Sequence, residues 1–130
     1  MNKELITKLI SRAREASDNA YCPYTNVPIG CALLTEGSIY TGCNIESRFL
    51  SNSVSAGQVA VMKAISEGCT DFKAVCFYSN SMMPFPDGNT RQVLSEFNQM
   101  ISVVVANAET YNLSTLNNMH LFPPELQEND

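Results

Sequence analysis

Two short polar stretches contain the residues whose side chains could hold a ligand or a metal ion. They lie at residues 55–58, which read Ser-Ala-Gly-Gln, and at residues 86–91, which read Pro-Asp-Gly-Asn-Thr-Arg. Ser55, Asp87 and Thr90 offer two hydroxyls and one carboxylate. This donor set suits at best a weak site for a hard cation, because calcium and magnesium sites use more carboxylate and carbonyl ligands. Hydroxyls are also poor ligands for zinc, which prefers thiolate and imidazole.

The same two stretches carry residue types that begin helices. Ser55 and Gln58 match the capping box, in which each side chain bonds the backbone N–H of the other residue. Asp87, directly after Pro86, is a strong candidate for the cap of a second helix.

Cysteine and histidine spacing predicts no other metal site. The five cysteines are an odd number without close spacing, and they are typical of reduced, packed thiols in an intracellular protein. They are Cys22, Cys31, Cys43, Cys69 and Cys76. The single histidine, His120, is expected on the surface or in packing. The sequence therefore predicts no metal, no other cofactor and no disulfide framework.

Alternating helix and strand patterns must position these stretches. Apolar residues at helical spacing, short apolar runs and turn residues define the elements. The helices are predicted over residues 3–19, 56–67, 88–97 and 114–119, the second ending at Gly68 and the last capped by Ser114. The strands are predicted over residues 29–35, 38–43, 74–78 and 101–106, with the turn Glu36-Gly37 between the first two. The order indicates a three-layer α/β domain with a polar, loosely held tail at 123–130.

Composition narrows the class of protein. With 130 residues, 45% hydrophobic and 16% charged, the chain is expected to form a single domain over residues 1–130. The net charge of −5 disfavours nucleic-acid binding, which needs a basic face. No apolar run approaches the ~20 residues of a membrane span, and the first residues lack the apolar core of a signal peptide. We expect a cytoplasmic protein with no nucleic-acid or membrane partner.

Three stretches, in the same order along the chain, resemble the cytidine deaminase family. Residues 20–35, which read Ala-Tyr-Cys-Pro-Tyr-Thr-Asn-Val-Pro-Ile-Gly-Cys-Ala-Leu-Leu-Thr, are similar to the family's Tyr-x-Pro-Tyr-Ser followed by Phe-Pro-Val-Gly-Ala-Ala. Residues 41–46, Thr-Gly-Cys-Asn-Ile-Glu, are similar to its Gly-x-Asn-x-Glu segment. The third stretch comprises residues 59–68 and 91–97. Each piece alone is a weak signal, but the ordered set over residues 5–105 is specific.

The resemblance implies a fold, an assembly and a chemistry. The implied fold is a three-layer α/β/α sandwich around a mixed five-stranded sheet, assembled as a homotetramer whose pockets are completed by neighbouring subunits. In the family, zinc is held by a Cys or His at one helix start and by two Cys at the next. A Glu moves protons between the zinc-bound water and the pyrimidine.

This sequence departs from the family at each of those positions. The first ligand position is Ser55, the Glu position is Gly57, and the paired Cys positions are Asp87 and Thr90. Loss of acid–base catalysis alone commonly costs ~10²–10⁴-fold in rate. We therefore predict a catalytically inactive homologue in which these four positions are vestigial. The alternative is an active cytidine or nucleoside deaminase that uses an unrecognised metal site.

Two accounts of the four substitutions are open. In the first, hydrogen-bonded caps now hold the two helix starts that zinc holds in the family. In the second, neutral decay produced common helix-start residues, and the binding pocket is eroded throughout.

The resemblance also implies a ribose-binding pair, which this chain keeps as Asn44 and Glu46. These side chains could bind ribose hydroxyls, or they could satisfy backbone groups of the loop that follows a strand. The family's aromatic residue near the base is Val27 here, and Tyr24 and Phe49 could replace part of its stacking surface. The protein is expected either to bind a nucleoside or to act as a structural or regulatory subunit with an active paralogue.

Overall fold

The first helix shows how the apolar pattern becomes a packed face. In the computed structural model, which describes residues 1–119, α1 spans Lys3–Ser17. Its buried residues Ile6, Leu9 and Ala13 recur at helical spacing and pack on the sheet. Asn2 caps the helix by accepting a hydrogen bond from a first-turn backbone N–H at 2.8 Å. The helix ends two residues before the predicted end.

Five strands form one mixed sheet in the order β2-β1-β3-β4-β5. Their bounds are β1 Gly30–Leu34, β2 Ile39–Cys43, β3 Ala74–Tyr78, β4 Ser102–Ala106 and β5 Tyr111–Thr115. The β3–β4 pair is parallel and the other three pairs are antiparallel. The predicted mixed five-stranded sheet is confirmed, and the four strands read from the sequence lie within one residue of their predicted bounds.

The prediction of a helix capped by Ser114 is wrong. Ser114 lies in β5, where it is the antiparallel partner of Val103. A tight turn precedes this strand, and the Asn107 side chain accepts hydrogen bonds from the backbone N–H groups of Glu109 and Thr110. The turn returns the chain onto the free edge of β4, and ladder hydrogen bonds there outweigh the local capping preference. Beyond it the structure has a 3₁₀ turn at Leu116–Asn118; His120 and the predicted tail lie outside the described residues.

Helices cover both faces of the sheet, which confirms the three-layer α/β/α architecture. Helix α1 packs on one face, and α2 (Ala56–Ser66) packs on the other. The third helix, α3 (Gly88–Phe97), lies on the same face as α2. Val103 and its neighbours in β4 point alternately to the two faces, as their alternating burial in the two cores shows. The predicted coverage of this strand on both sides is therefore confirmed.

The topology brings the first turns of α2 and α3 to one place. Helix α3 is the crossover between the parallel strands β3 and β4, so it begins at the carboxyl end of β3. Helix α2 lies directly on β2, where a Cβ at Gly42 would come within 2.6 Å of the Ala56 carbonyl oxygen. This close approach fixes the first turn of α2 against the sheet.

Candidate functional site

The start of α2 is held by the predicted capping box. Ser55 is the N-cap, and its Oγ accepts a hydrogen bond from Gln58 N at 3.2 Å. Ser55 N donates in return to Gln58 Oε1 at 3.1 Å. The first residues of the helix, Ala56 and Gly57, are buried. The helix start is therefore satisfied by its own side chains in an enclosed position.

The start of α3 is also capped as predicted. The Asp87 carboxylate accepts a hydrogen bond from Thr90 N at 2.8 Å. Asp87 is exposed, whereas Thr90 is buried. The cap thus fixes Thr90 with its side chain directed into the protein.

A direct hydrogen bond joins the two helix starts. Ser55 Oγ and Thr90 Oγ1 lie 2.9 Å apart. Ser55 Oγ also donates to Gln58 Oε1 at 3.1 Å, so its hydrogen-bonding capacity is already used by groups of the protein. The structure therefore brings together the sequence-predicted positions Ser55, Gly57, Asp87 and Thr90, all of which line one cavity.

This cavity has a volume of about 190 Å³ and an opening to solvent. Its lining includes Asn44, Ile29 and Phe77, and Phe85 with its two flanking prolines lies against it. The volume is smaller than the ~300–1,000 Å³ of a typical drug-sized ligand site. The cavity can therefore enclose one small ring, with the remainder of a larger ligand outside.

Gly57 lies in the cavity wall without space for a side chain. A Cβ built on Gly57 would come within 2.5 Å of Thr90 Cγ2 and within 2.9 Å of Phe77 Cε1. Real Cβ atoms essentially never approach other atoms this closely, and Phe77 is buried among core residues and cannot move freely. The space into which a side chain from residue 57 would extend is occupied by these two neighbours.

The donor atoms around the cavity do not fit a zinc ion. They are the Ser55 and Thr90 hydroxyls, which are bonded to each other, and the Asp87 carboxylate, which is bonded to a backbone N–H. Structural and catalytic zinc sites use thiolate, imidazole and carboxylate ligands. Among residues 1–119, no three His, Cys, Asp or Glu side chains lie close enough together to hold a metal ion.

Two buried cysteines, Cys31 and Cys76, have raised thiol pKa values. Burial raises the pKa of the Cys76 thiol to about 12. Burial, and to a lesser degree the neighbouring Cys76, raises the pKa of Cys31 well above its usual value. Both groups are therefore protonated at neutral pH and serve as packing residues in the two cores.

Asn44 spans the gap between the cavity and the preceding loop. Its Oδ1 accepts a hydrogen bond from Ile29 N, and its Nδ2 donates to the Val27 carbonyl, both at 2.9 Å. Asn44 is nearly buried and lines the cavity. Its amide therefore satisfies backbone groups, as the structural interpretation of this residue predicted.

Glu46 fastens the same loop from outside the cavity. Its carboxylate accepts hydrogen bonds from Tyr24 N at 3.0 Å, Thr25 N at 3.1 Å and Thr25 Oγ1 at 2.5 Å. The bond from the Thr25 hydroxyl, supported by the two backbone bonds, lowers the pKa of Glu46. Glu46 is not among the residues that line the cavity. Asn44 and Glu46 thus both stabilise the loop of residues 21–28. Of these two residues, only Asn44 lines the cavity.

The aromatic residues at the cavity differ from the sequence expectation. Neither Tyr24 nor Phe49 lines the cavity, and Val27 does not line it either. Phe77 and Phe85 do, and sequence reasoning did not select them. For Phe85 a usable signal was present, since an aromatic residue between two prolines directly before a helix start is held in a fixed loop.

Comparison with known proteins shows the family to which this chain belongs. A mixed sheet covered by helices on both faces, with a small open cavity between two capped helix starts, defines an α/β protein. Residues 3–108 match the family described as the cytidine and deoxycytidylate deaminase zinc-binding region. The chain therefore belongs to the cytidine and deoxycytidylate deaminase family.

Individual relatives agree with this assignment. A protein named cytidine deaminase from Sporosarcina psychrophila is 43% identical over 94 residues, covering 71% of this chain and 69% of that protein. A probable cytidine deaminase from Dictyostelium discoideum is 38% identical over 108 residues, covering 81% and 74%. The crystal structure of cytidine deaminase from Burkholderia pseudomallei matches with a TM-score of 0.83 and 28% identity, over 95% of this chain and 98% of that one.

Proposed function

We propose that this member of the family binds a nucleoside in the cavity between α2 and α3 without deaminating it. In this proposal Ser55, Gly57, Asp87 and Thr90 are the vestigial zinc and catalytic positions. The observation that carries the proposal is the 2.9 Å hydrogen bond between Ser55 Oγ and Thr90 Oγ1. The two side chains that would have to face a shared metal ion instead bond each other.

The wall at Gly57 supports the same proposal. Deamination needs a group that moves protons to and from the pyrimidine ring. Gly57 has no such group, and the Cβ position that would lead to one lies against Thr90 and Phe77. In this proposal, the described residues of the cavity wall supply neither a metal-activated water nor a group that carries protons.

The cavity supports retained binding over complete erosion of the pocket. It is open to solvent, and Asn44 is still held at its wall by two hydrogen bonds. We propose Asn44 as the residue nearest the ribose and Glu46 as the residue that positions the adjoining loop.

Assembly and location are part of the proposal as well. We propose a homotetramer, with a hetero-oligomer containing an active paralogue as the other form, and a cytoplasmic location. The exposed side chains of Phe49 and Leu50, 68% and 86% accessible in the single chain, support a contact with another subunit. Within residues 1–119 no helix is long and apolar enough to cross a membrane. Light scattering is expected to give a mass about four times the 14.3 kDa of one chain.

The second candidate is an active cytidine or nucleoside deaminase. The comparisons favour it, because the relatives matched by sequence carry the names cytidine deaminase and probable cytidine deaminase. It requires a metal site built from residues other than the four described above, and His120 lies outside the described residues. The two candidates make opposite predictions about zinc content and turnover.

One preparation separates the candidates. The protein is purified without chelator, its zinc content is measured by mass spectrometry, and cytidine, deoxycytidine and related nucleosides are assayed by the absorbance change on deamination. The Sporosarcina psychrophila relative serves as the positive control. The proposal predicts no bound zinc and no absorbance change. Stoichiometric zinc together with turnover would establish the second candidate and refute the first.

A further inference from the structure

We propose that Phe85 is the stacking surface for a planar heterocyclic base at the mouth of the cavity. This inference rests on the proposed nucleoside binding and names the residue that recognises the base. Phe85 belongs to the cavity wall, yet the residue is 60% exposed. An apolar ring that is exposed at the edge of a cavity offers a face to a ligand that enters it.

The backbone around Phe85 holds the ring in this position. Pro84 and Pro86, on either side, are both buried and both line the cavity. Each proline fixes its own φ angle, and Phe85 N donates to the Met83 carbonyl at 3.0 Å. The next residue, Asp87, is fixed as the cap of α3. The ring therefore projects from a short segment that is anchored at both ends, which lowers the entropy lost when a ligand stacks on it.

The cavity itself indicates the class of ligand. Its volume of about 190 Å³ admits one small ring, and its apolar lining from Ile29 and Phe77 favours a flat one. The bonded hydroxyls of Ser55 and Thr90 lie in the same wall. A single-ring base satisfies these conditions, whereas a free sugar has no aromatic face to stack on Phe85.

Phe85 also supplies an aromatic ring at the cavity, which the loop of residues 21–28 does not. In this chain that loop carries Val27, which does not line the cavity. Tyr24 and Phe49, the aromatic residues expected to replace it, do not line the cavity either. Among these aromatic candidates, only Phe85 lies where it can stack on a ligand in the cavity.

The test is a calorimetric titration of the full chain with uridine, cytidine and free ribose. The variants are Phe85→Ala, Phe85→Leu, Phe85→Trp and the off-site control Tyr111→Ala, a 43% exposed aromatic residue on the edge strand β5. Since an aromatic residue that stacks on a base contributes to its affinity, Phe85→Ala should weaken nucleoside binding about 5- to 100-fold. Phe85→Leu should weaken it similarly, because leucine keeps apolar bulk but has no aromatic face. Phe85→Trp and Tyr111→Ala should keep wild-type affinity.

Phe85→Trp gives a second readout, because the chain contains no other tryptophan. Its emission should change saturably with uridine or cytidine and stay constant with ribose. Wild-type binding that is equal in Phe85→Ala would refute the stacking role and leave nucleoside binding intact. No saturable binding to the wild-type protein would refute the proposed nucleoside binding itself, and the stacking role with it.

Discussion

Gly57 lies on the first turn of α2, where its Cα faces Thr90 and Phe77 across a van der Waals gap that has no room for a Cβ. The side chains of Thr90 and Phe77 therefore pack directly against the backbone of Gly57. Thr90 in turn is held by its hydrogen bonds to Ser55 and Asp87. A side chain at position 57 would therefore require Thr90 and Phe77 to move.

Gly57→Glu should therefore lower stability and yield no deaminase activity. Overpacking a close-packed interior commonly costs about 1–3 kcal/mol in the free energy of unfolding. The matched control is Gly88→Glu, also at a helix start, where a Cβ would meet nothing within 4 Å. Its effect should stay within about 0.5 kcal/mol. Urea unfolding measures both variants, and equal stabilities for the two would contradict the packing described at Gly57.

Glu46 gives a pH-dependent prediction. Its pKa in the folded protein is lowered from the usual 4.5, chiefly by the hydrogen bond from Thr25 Oγ1. A lowered pKa means that the carboxylate contributes stability above about pH 4.5 and that the contribution is lost as pH falls through the folded value. The amide resonances of Tyr24 and Thr25 should therefore titrate with a midpoint below 4.5.

Glu46→Gln should abolish that titration, because an amide does not ionise in this range. Glu109→Gln, an exposed glutamate in the turn before β5, controls for the loss of one charge. The stability difference between wild type and Glu46→Gln should be present at neutral pH and shrink in acid. A midpoint above 4.5 in the wild-type protein would contradict the described role of Glu46.

At the scale of elements, hydrogen bonds hold together the starts of α2 and α3. The capping box at Ser55, the cap at Asp87 and the Ser55–Thr90 bond form one connected network. Groups in one network depend on one another, so their mutational effects are not additive.

A double-mutant cycle tests this connection. Ser55→Ala should cost about 1 kcal/mol through the lost cap, and Ser55→Ala with Thr90→Val should show a coupling of about 0.5 kcal/mol or more. The control pair is Ser55→Ala with Asn2→Ala, which removes the cap of α1 on the other face of the sheet. Those two effects should add within about 0.5 kcal/mol. Additive behaviour in the Ser55–Thr90 pair would show that the two helix starts are independent.

The elements that the sequence predicted well are those with strong local signals. Strand β3 and helix α3 begin and end at the predicted residues, because an apolar run marks the strand and a capping residue marks the helix. The capping box and the Asp87 cap were predictable for the same reason. Strand β5 was not, because three of its five residues are polar and its pairing depends on the free edge of β4, a non-local partner.

The site was less predictable than the caps. That Glu46 bonds the loop at Tyr24 and Thr25 depends on where two distant segments meet, which composition and spacing do not encode. The close approach of Phe77 to Gly57 and the position of Phe85 at the cavity likewise follow from the packing of α2 and α3 on the sheet.

At the scale of the whole molecule, the fold and the residues at the start of α2 and α3 give different information about function. The sheet order, the two helical layers and a TM-score of 0.83 to a solved cytidine deaminase describe a scaffold kept over 95% of the chain. The residues at the meeting point of α2 and α3 form a hydrogen-bonded contact between Ser55 and Thr90. We propose that this contact replaces the metal site that the family resemblance implies. A scaffold can keep its cavity while the residues in its wall change function.

The most direct test of this account is a crystal structure of the protein grown with excess zinc, with diffraction recorded on both sides of the zinc absorption edge. The account predicts no anomalous peak between Ser55, Asp87 and Thr90, and a Ser55 Oγ–Thr90 Oγ1 distance that stays near 2.9 Å. A tetrahedrally coordinated peak in that position, with the two hydroxyls drawn apart, would contradict it.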